Sequence, residues 1–309
     1  MSSRIEGIIS TMDEVLKLEA HSRHENHKGQ VRLDIIETFL YQRTLKSAQM
    51  AMEDGYHISQ SLIKSAHQQL LSFGRGTDKS PGMFKTEQNY LADKRNKTIL
   101  FIPISAERLQ EGLDKLFLFI AESDAPALIK AALTHVEFEA LHPFKDGNGR
   151  IGRILIPLML WQSGLISEPH FYISGYLQEH KDDYIDVMRN VSKNNDWHSW
   201  CVFFLKAVKA QAKQNLETVQ SIRELYEDMK EEFSKHLASK WYVHALDFIF
   251  TYPIFRNSSF IEKSGIPKAT ASKFVRILLD REILVVVEEG AGRRAAMYAF
   301  EPLMKLVRV

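Results

Sequence analysis

Hydrophobic residues recur at helical spacing through most of the first two thirds of the chain, and this pattern predicts a mainly α body. The spacing is clearest in segments 15–19, 35–50, 58–71, 109–121 and 126–141. It returns from 197 to about 237, where charged residues alternate with apolar ones and one or two long amphipathic helices are expected. The fold predicted for this part of the chain is therefore a helical bundle.

The helical pattern is interrupted between Phe73 and Ser105. Glycines and Pro81 come first, a polar and basic stretch follows, and the apolar run from Ile99 to Pro103 ends the segment. Glycine and proline favour turns, and short apolar runs beside them are typical of strands. We expect a small β-hairpin at about residues 80–105, attached to the helical body.

The last segment, 241–309, has a different pattern. Helical spacing at 257–264 and 266–279 is followed by two β-rich runs that are joined by a glycine turn at 290–292. A helix-turn-helix followed by two strands is typical of a winged-helix domain. We therefore predict two domains, residues 1–240 and residues 241–309.

Composition narrows the classes of protein that the chain can belong to. Its 309 residues suffice for two domains with cores of their own. The single cysteine, Cys201, excludes an internal disulfide and a multi-cysteine metal site, which favours a reducing compartment such as the cytoplasm. No apolar run reaches the length of a membrane helix, and the first residues lack the pattern of a signal peptide. A cytoplasmic protein that has no membrane partner is expected.

The charge balance argues against nucleic acid as the partner of the whole chain. Forty Lys and Arg face 39 Asp and Glu, so the formal net charge is +1. Residues 241–309 hold ten basic and seven acidic residues, a local excess of +3. Any contact with DNA is therefore expected to be local to this end.

The strongest chemical signal is segment 142–153, which is followed directly by an apolar helical run. A helix must end before Pro143, so His142 is presented at a helix end. Gly147 and Gly149 flank Asn148 where the next helix begins. The unpaired N–H groups and the dipole at such a helix start favour an anion, and the segment predicts a phosphate site.

Three charged residues extend this prediction. Arg150 and Arg153 are three positions apart in the first turn, so both can clamp further phosphates from one side of the helix. Asp146 precedes the anion site and suits a Mg²⁺ ion that bridges phosphate oxygens. Each of these residues alone is typical of a cap, a turn or a solvated face. Their combination indicates one loop that holds a base, a metal ligand and a phosphate cradle.

Residues 142–153 match His-Pro-Phe-x-x-Gly-Asn-Gly-Arg-x-x-Arg without departure, and this motif is the signature of the Fic family. The chain up to about residue 240 resembles that family, which implies a Fic-type helical bundle with a hairpin flap. The resemblance also implies an EC 2.7.7-type protein adenylyltransferase, of bacterial origin, that moves AMP from ATP to a Ser, Thr or Tyr hydroxyl of a target protein. In related chains that transfer phosphoryl groups, a lysine replaces the second motif glycine, here Gly149.

The resemblance implies a role for each motif residue. His142 would be the general base, and Asp146 would bind Mg²⁺. The residues implied to hold ATP are Gly147, Asn148, Gly149, Arg150, Ile151, Gly152, Arg153 and, further along the chain, Tyr184.

The N-terminal segment from Ser2 to Gly7 resembles the motif with which many Fic proteins inhibit themselves. The resemblance implies that Glu6 pairs with Arg153 and biases ATP into an unreactive pose. It also links a glutamate at this place to removal of AMP from modified targets, and it implies a homodimer.

Several alternatives stay open at this point. Segment 80–105 is either a flap that docks the target or a simple surface hairpin. Residues 241–309 either contact DNA or dock a protein. With either partner, an ATP-sensing regulator that acts through its winged helix is the alternative to an enzyme. A donor with a diphosphate other than ATP also fits the motif.

Overall fold

The computed structural model describes residues 28–307, with the exception of 75, 93–98, 170 and 293. It divides into two compact units, whose described parts are 28–212 and 213–307. Within the described residues, no helix combines the length and the apolar character needed to cross a bilayer.

The first unit is a bundle of helices with one small hairpin. Its elements are α1 (Lys28–Glu53), α2 (Gln60–Leu70), β1 (Leu91–Ala92), β2 (Ile99–Phe101), α3 (Ala106–Glu122), α4 (Ala127–Leu141), α5 (Asn148–Gln162), α6 (Ser174–Glu179), α7 (Lys181–Asn194) and the first part of α8 (Trp197–Leu237). The predicted helical body is confirmed, and the long amphipathic stretch after residue 197 is one helix.

The packing centre of this unit is the pair α4 and α5. Most residues of α5 are buried, including the run from Ile154 to Leu160, because the helix is apolar nearly all round. Trp200 of α8 is fully buried and donates its indole N–H to the carbonyl of Ala132 in α4, at 2.8 Å. Gly112 lets α3 approach α4, since any Cβ there would collide with Leu141. These contacts fix the ends of α4 and α5, where the motif lies.

The hairpin expected at 80–105 is present but short. Strands β1 and β2 pair antiparallel, with Leu91 opposite Phe101 and Ala92 opposite Ile99. The connection at 93–98 lies outside the described residues.

The second unit follows on the last part of α8. Its elements are α9 (Tyr242–Thr251), β3 (Ile254–Arg256), α10 (Asn257–Lys263), α11 (Lys268–Asp280), β4 (Leu284–Glu288), β5 (Met297–Phe300) and α12 (Glu301–Val307). The strands form an antiparallel sheet in the order β3-β5-β4 around buried phenylalanines. The expected two helices and two strands are there. The pattern did not predict β3, because three residues after Pro253 are too short to show alternation.

Candidate functional site

A tight loop joins the end of α4 to the start of α5. His142 follows the last helical residue in the left-handed conformation, with φ 46° and ψ 60°, and its N–H donates to the carbonyl of Phe138 at 2.9 Å. Gly147 precedes α5 with φ +79°, a conformation that glycine adopts without strain. The loop therefore begins with His142 at the end of α4 and ends with Gly147 at the start of α5.

Asn148 holds the loop in shape. Its side chain is 1% exposed, its Nδ2 donates to the carbonyl of Phe144 at 2.7 Å, and its Oδ1 accepts from the N–H of Phe144 at 2.8 Å. Both hydrogen bonds of the side-chain amide are therefore made within the loop. The group that Asn148 can offer a phosphate is its backbone N–H. The sequence suggested a nucleotide contact here but not this internal one.

A second anchor, His67 of α2, was not found from the sequence. Its Nδ1 accepts from the N–H of Gly82 at 2.8 Å, so its Nε2 carries the proton and donates to the carbonyl of Asp146 at 2.9 Å. The ring stacks on Phe144 with 3.8 Å between ring centres. Burial lowers the pKa of His67, which keeps the ring neutral at pH 7. His67 therefore clamps the loop from 79 residues away in sequence.

The first turn of α5 is the place where the sequence predicts an anion site. Gly147 precedes this turn and, as a glycine, gives it no side-chain cap. Arg153 bends back over this turn: its Nη1 lies 3.0 Å from the place where a Cβ on Gly149 would be. The guanidinium and the helix start can therefore face one anion.

Two other motif residues, Ile151 and Gly152, have packing roles. Ile151 is fully buried, so its side chain belongs to the core and only its backbone can face a nucleotide. Gly152 faces Glu139 of α4, whose Oε1 would be 2.7 Å from an added Cβ. The carboxyl group of Glu139 thus fills the space that the missing side chain leaves.

The electrostatics of His142 suit a base. Burial lowers its pKa to about 4, so the ring is neutral at pH 7. Its Nδ1 lies 3.3 Å from the backbone carbonyl of Glu139, an acceptor, so this nitrogen carries the ring proton. Nε2 is then the nitrogen that can take a proton from a substrate.

Asp146 is suited to a metal ion that arrives with a ligand. One carboxylate oxygen, Oδ1, accepts from the N–H of Gly147 at 2.7 Å. No cluster of three or more acidic, His or Cys ligands occurs in the described part of the chain. Mg²⁺ is commonly held by one or two carboxylates together with substrate phosphates, so this donor set fits Mg²⁺ bound with a nucleotide.

A small, partly open apolar pocket lies beside α4. Its walls come from the hairpin, from α4 and from α7: Leu91, Phe101, Val136, Glu139, Ala140, Ile185, Met188, Arg189 and Ser192. The sequence analysis missed these residues. Apolar Ile185 and Met188 on one side of the otherwise polar helix α7 were a signal for such a wall.

Tyr184, expected at the nucleotide, is not among the described residues that line this pocket. Its hydroxyl lies 2.9 Å from Nε2 of His135, and its ring belongs to a cluster with Trp200 and Phe203. Burial raises the pKa of this hydroxyl well above its usual range, so it stays protonated.

Comparisons with known proteins show similarity to one family. Residues 57–160 match the model of the Fic/DOC family. A probable protein adenylyltransferase of Aquifex aeolicus is 40% identical over 68 residues, which is 21% of each chain. Protein adenylyltransferase fic-1 of Caenorhabditis briggsae is 28% identical over 115 residues, 36% of this chain and 21% of that protein. The aligned segments thus span about a fifth of these relatives.

A similar fold is found in the crystal structure of a Fic family protein from Desulfovibrio desulfuricans G20. It covers 96% of this chain and 86% of that one, with a TM-score of 0.52 and 15% identity. This likeness concerns the fold alone. Together, these findings show that the chain carries a Fic/DOC family domain and is related to protein adenylyltransferases. Glu6 lies outside the described residues.

Proposed function

We propose that this protein is a protein adenylyltransferase that moves AMP from Mg-ATP to a Ser, Thr or Tyr hydroxyl of a target protein. One observation carries the proposal: a neutral, buried histidine lies in the loop before a helix start that has no side-chain cap, and an arginine of that helix bends back over its first turn. Kinship with protein adenylyltransferases supports it.

In this proposal, the nucleotide lies across the loop and the apolar pocket. The pocket beside α4 and α7 is apolar enough for a purine ring, and its wall residue Glu139 also reaches the first turn of α5. The phosphates lie at that turn, near Gly149, where Arg150 and Arg153 offset their charge. Asp146 holds Mg²⁺, which neutralises phosphate charge when it is bound.

The proposed reaction is a displacement at the α-phosphorus. Nε2 of His142 takes the proton of the target hydroxyl, and the hydroxyl oxygen forms a bond to the α-phosphorus. The bond from that phosphorus to the bridging oxygen breaks, and pyrophosphate leaves with the electron pair. N–H groups of α5 and the arginines stabilise the charge that develops on the phosphate oxygens.

Regulation and partners are part of the same proposal. Glu6 holds the enzyme inactive through Arg153, and a homodimer forms in the cytoplasm. The target aligns its backbone along the hairpin, whose Ile99 is exposed and offers an apolar contact. The same active site also removes AMP from modified targets.

One observation favours the alternative of a DNA-binding regulator. Lys268, Lys273 and Arg276 are exposed on α11, and Lys273 and Arg276, three positions apart, share one side of that helix. At the turn beside β4, by contrast, Arg294 is paired with Glu288 at 2.6 Å. Fluorescence anisotropy with duplex DNA tests this alternative. Salt-sensitive binding that the triple alanine variant of α11 loses, and that Lys305→Ala keeps, would support it.

Peptide mass spectrometry tests the main proposal. The Glu6→Gly chain is incubated with Mg-ATP and a protein mixture, and modified peptides are searched for AMP on hydroxyl side chains. We expect such peptides, their loss with His142→Ala, and their retention with His198→Ala, an exposed histidine of α8. Phosphorylated peptides that depend on His142 instead would contradict the proposal.

A further inference from the structure

Glu139 is a buried carboxyl group that the proposed reaction does not yet use. It lies on α4, three residues before His142, and its side chain is 11% exposed. Its Oε1 is buried and has no hydrogen-bond partner among the described residues. Such a group costs free energy unless something nearby offsets it, so its surroundings need an explanation.

Two contacts define these surroundings. Oε2 lies 3.7 Å from Nδ1 of His142, and that nitrogen also lies 3.3 Å from the backbone carbonyl of Glu139. Oε1 points to the first turn of α5, 2.7 Å from a Cβ position on Gly152 and 3.7 Å from one on Gly149. The carboxyl group therefore stands between the proposed base and the proposed phosphate site.

Among the described residues, charged and titratable groups from several elements face this pair. Those near Glu139 are Arg153 of α5, the neutral Tyr184 hydroxyl of α7, and Arg189 of α7, which lines the same pocket. Those near His142 are Lys85, whose ammonium makes protonation of the ring harder, and Asp146, which makes it easier. Burial raises the pKa of Glu139 to about 7, although the charge of Arg153 acts to lower it. The carboxyl group therefore gains or loses its proton near neutral pH.

We propose that Glu139 is a positioning residue that holds the His142 ring and stabilises its protonated form during AMP transfer. When Nε2 takes the hydroxyl proton, the ring becomes a cation in a buried place where it is otherwise disfavoured. The Glu139 carboxylate, 3.7 Å from Nδ1, offsets that charge. The inference rests on the proposed function for its kinetic part only.

The kinetic test compares Glu139→Gln with Glu137→Gln in the Glu6→Gly chain. Glutamine keeps the shape and removes the charge, and Glu137 is a glutamate of the same helix whose pKa burial also raises. For Glu139→Gln, we expect kcat to fall about tenfold or more with little change in KM for ATP. We expect Glu137→Gln to keep both constants. A higher KM with an unchanged kcat would overturn the proposal, because it would assign the carboxyl group to nucleotide binding.

The pH profile distinguishes this role from a structural one. In the Glu6→Gly chain, kcat should rise with pH through about 7, as Glu139 loses its proton, and this rise should disappear when Glu139→Gln is added. An unchanged profile in that variant would overturn the proposal.

A titration of the His142 ring by NMR tests the coupling without any turnover. The ring signal of the wild type should show an inflection near pH 7, caused by Glu139, which Glu139→Gln removes and Glu137→Gln retains. If Glu139→Gln does not fold, Glu139→Asp should move the inflection instead. Absence of the inflection in the wild type would overturn the proposal. Loss of all AMP transfer with the inflection intact would contradict the proposed function alone.

Discussion

At the residue scale, two glycines of one helix turn are constrained in different ways. A Cβ on Gly152 would meet Glu139 Oε1 at 2.7 Å and Phe138 Cδ1 at 3.2 Å, inside a packed core. A Cβ on Gly149 would come close to the end of the flexible Arg153 side chain, at 3.0 Å, and would touch Glu139 Oε1 at an ordinary contact distance of 3.7 Å. We predict that Gly152→Ala lowers the free energy of unfolding by about 1–3 kcal/mol. Urea denaturation measures this change.

The matched variant is Gly149→Ala. Alanine favours a helix over glycine by up to about 1 kcal/mol, and the arginine end can move away, so we expect little loss of stability. Equal destabilisation by the two substitutions would contradict the role given to Glu139 in packing against Gly152.

The dependence of stability on pH is also a residue property. Burial lowers the pKa of His135 and of His142 to about 4, below the ordinary value of 6.5. The unfolded chain therefore binds protons that the native state does not, and stability falls as the pH drops from about 6.5 to 4. Glu139 acts in the opposite sense, because its raised pKa lets the native state hold a proton between pH 4.5 and 7.

These signs give a prediction for Glu139→Gln. Each group contributes about 1.4 kcal/mol per pH unit where its charge differs between the two states. The wild type should lose stability between pH 6.5 and 4.5, and Glu139→Gln should lose it more steeply, because the opposing group is gone. Urea denaturation at several pH values measures both slopes. Parallel curves would show that Glu139 is not buried as described.

The sequence predicted some of these residues and not others. Local rules about proline, glycine and helix caps place His142 at a helix end and Gly147 just before the next helix. The clamp by His67 depends on contacts across 79 residues, and no local pattern contains it. The burial of the Glu139 side chain also depends on packing between helices, and the sequence did not predict it because a glutamate in a helix is usually solvated.

At the element scale, a buried lysine joins the hairpin to the loop between α4 and α5. The Lys85 ammonium donates to the side chain of Asn89 at 2.9 Å and to the carbonyls of Ile104 and Leu141 at 2.7 and 3.0 Å. Asn89 in turn donates to the carbonyls of His142 and Phe144, both at 3.1 Å. The base of the hairpin thus satisfies the carbonyl groups at the end of α4.

Lys85→Met keeps the apolar stem and removes these donors. We predict a loss of about 3 kcal/mol in the free energy of unfolding, because buried carbonyl groups lose their partner. Thermal or urea denaturation checks it. Lys79→Met is the control, since that lysine is exposed and pairs with exposed Asp78, and it should change stability little. A neutral result for Lys85→Met would contradict the network.

Element types were easier to predict than element ends. Helical spacing located the bundle, and the break at 73–105 located the hairpin, because both have a clear period. The three-residue strand β3 has too few positions for a period, and its pairing with β5 provides the evidence for it. The sequence also left open whether 197–237 is one helix or two, although no Gly or Pro marks a boundary there.

At the scale of the whole molecule, the second unit contains a core of its own. Its buried cluster, which includes Phe233, Phe248, Phe260 and Phe300, draws all members from residues 222–303. We predict that a fragment of residues 213–309 folds alone, with cooperative thermal unfolding followed by circular dichroism. Phe260→Ala should abolish the transition by opening a cavity. A fragment without any transition would contradict this independence.

The function of the whole molecule depends most on one claim, that His142 directs AMP from the α-phosphate of ATP to protein hydroxyls. The most direct test is label transfer to protein from ATP labelled at the α- or at the γ-phosphate, with Mg²⁺ and cell lysate. It compares the wild type, Glu6→Gly, and Glu6→Gly combined with His142→Ala. We predict that α label appears mainly with Glu6→Gly and disappears without His142. Transfer of γ label, or no transfer in any form despite ATP binding, would contradict the claim.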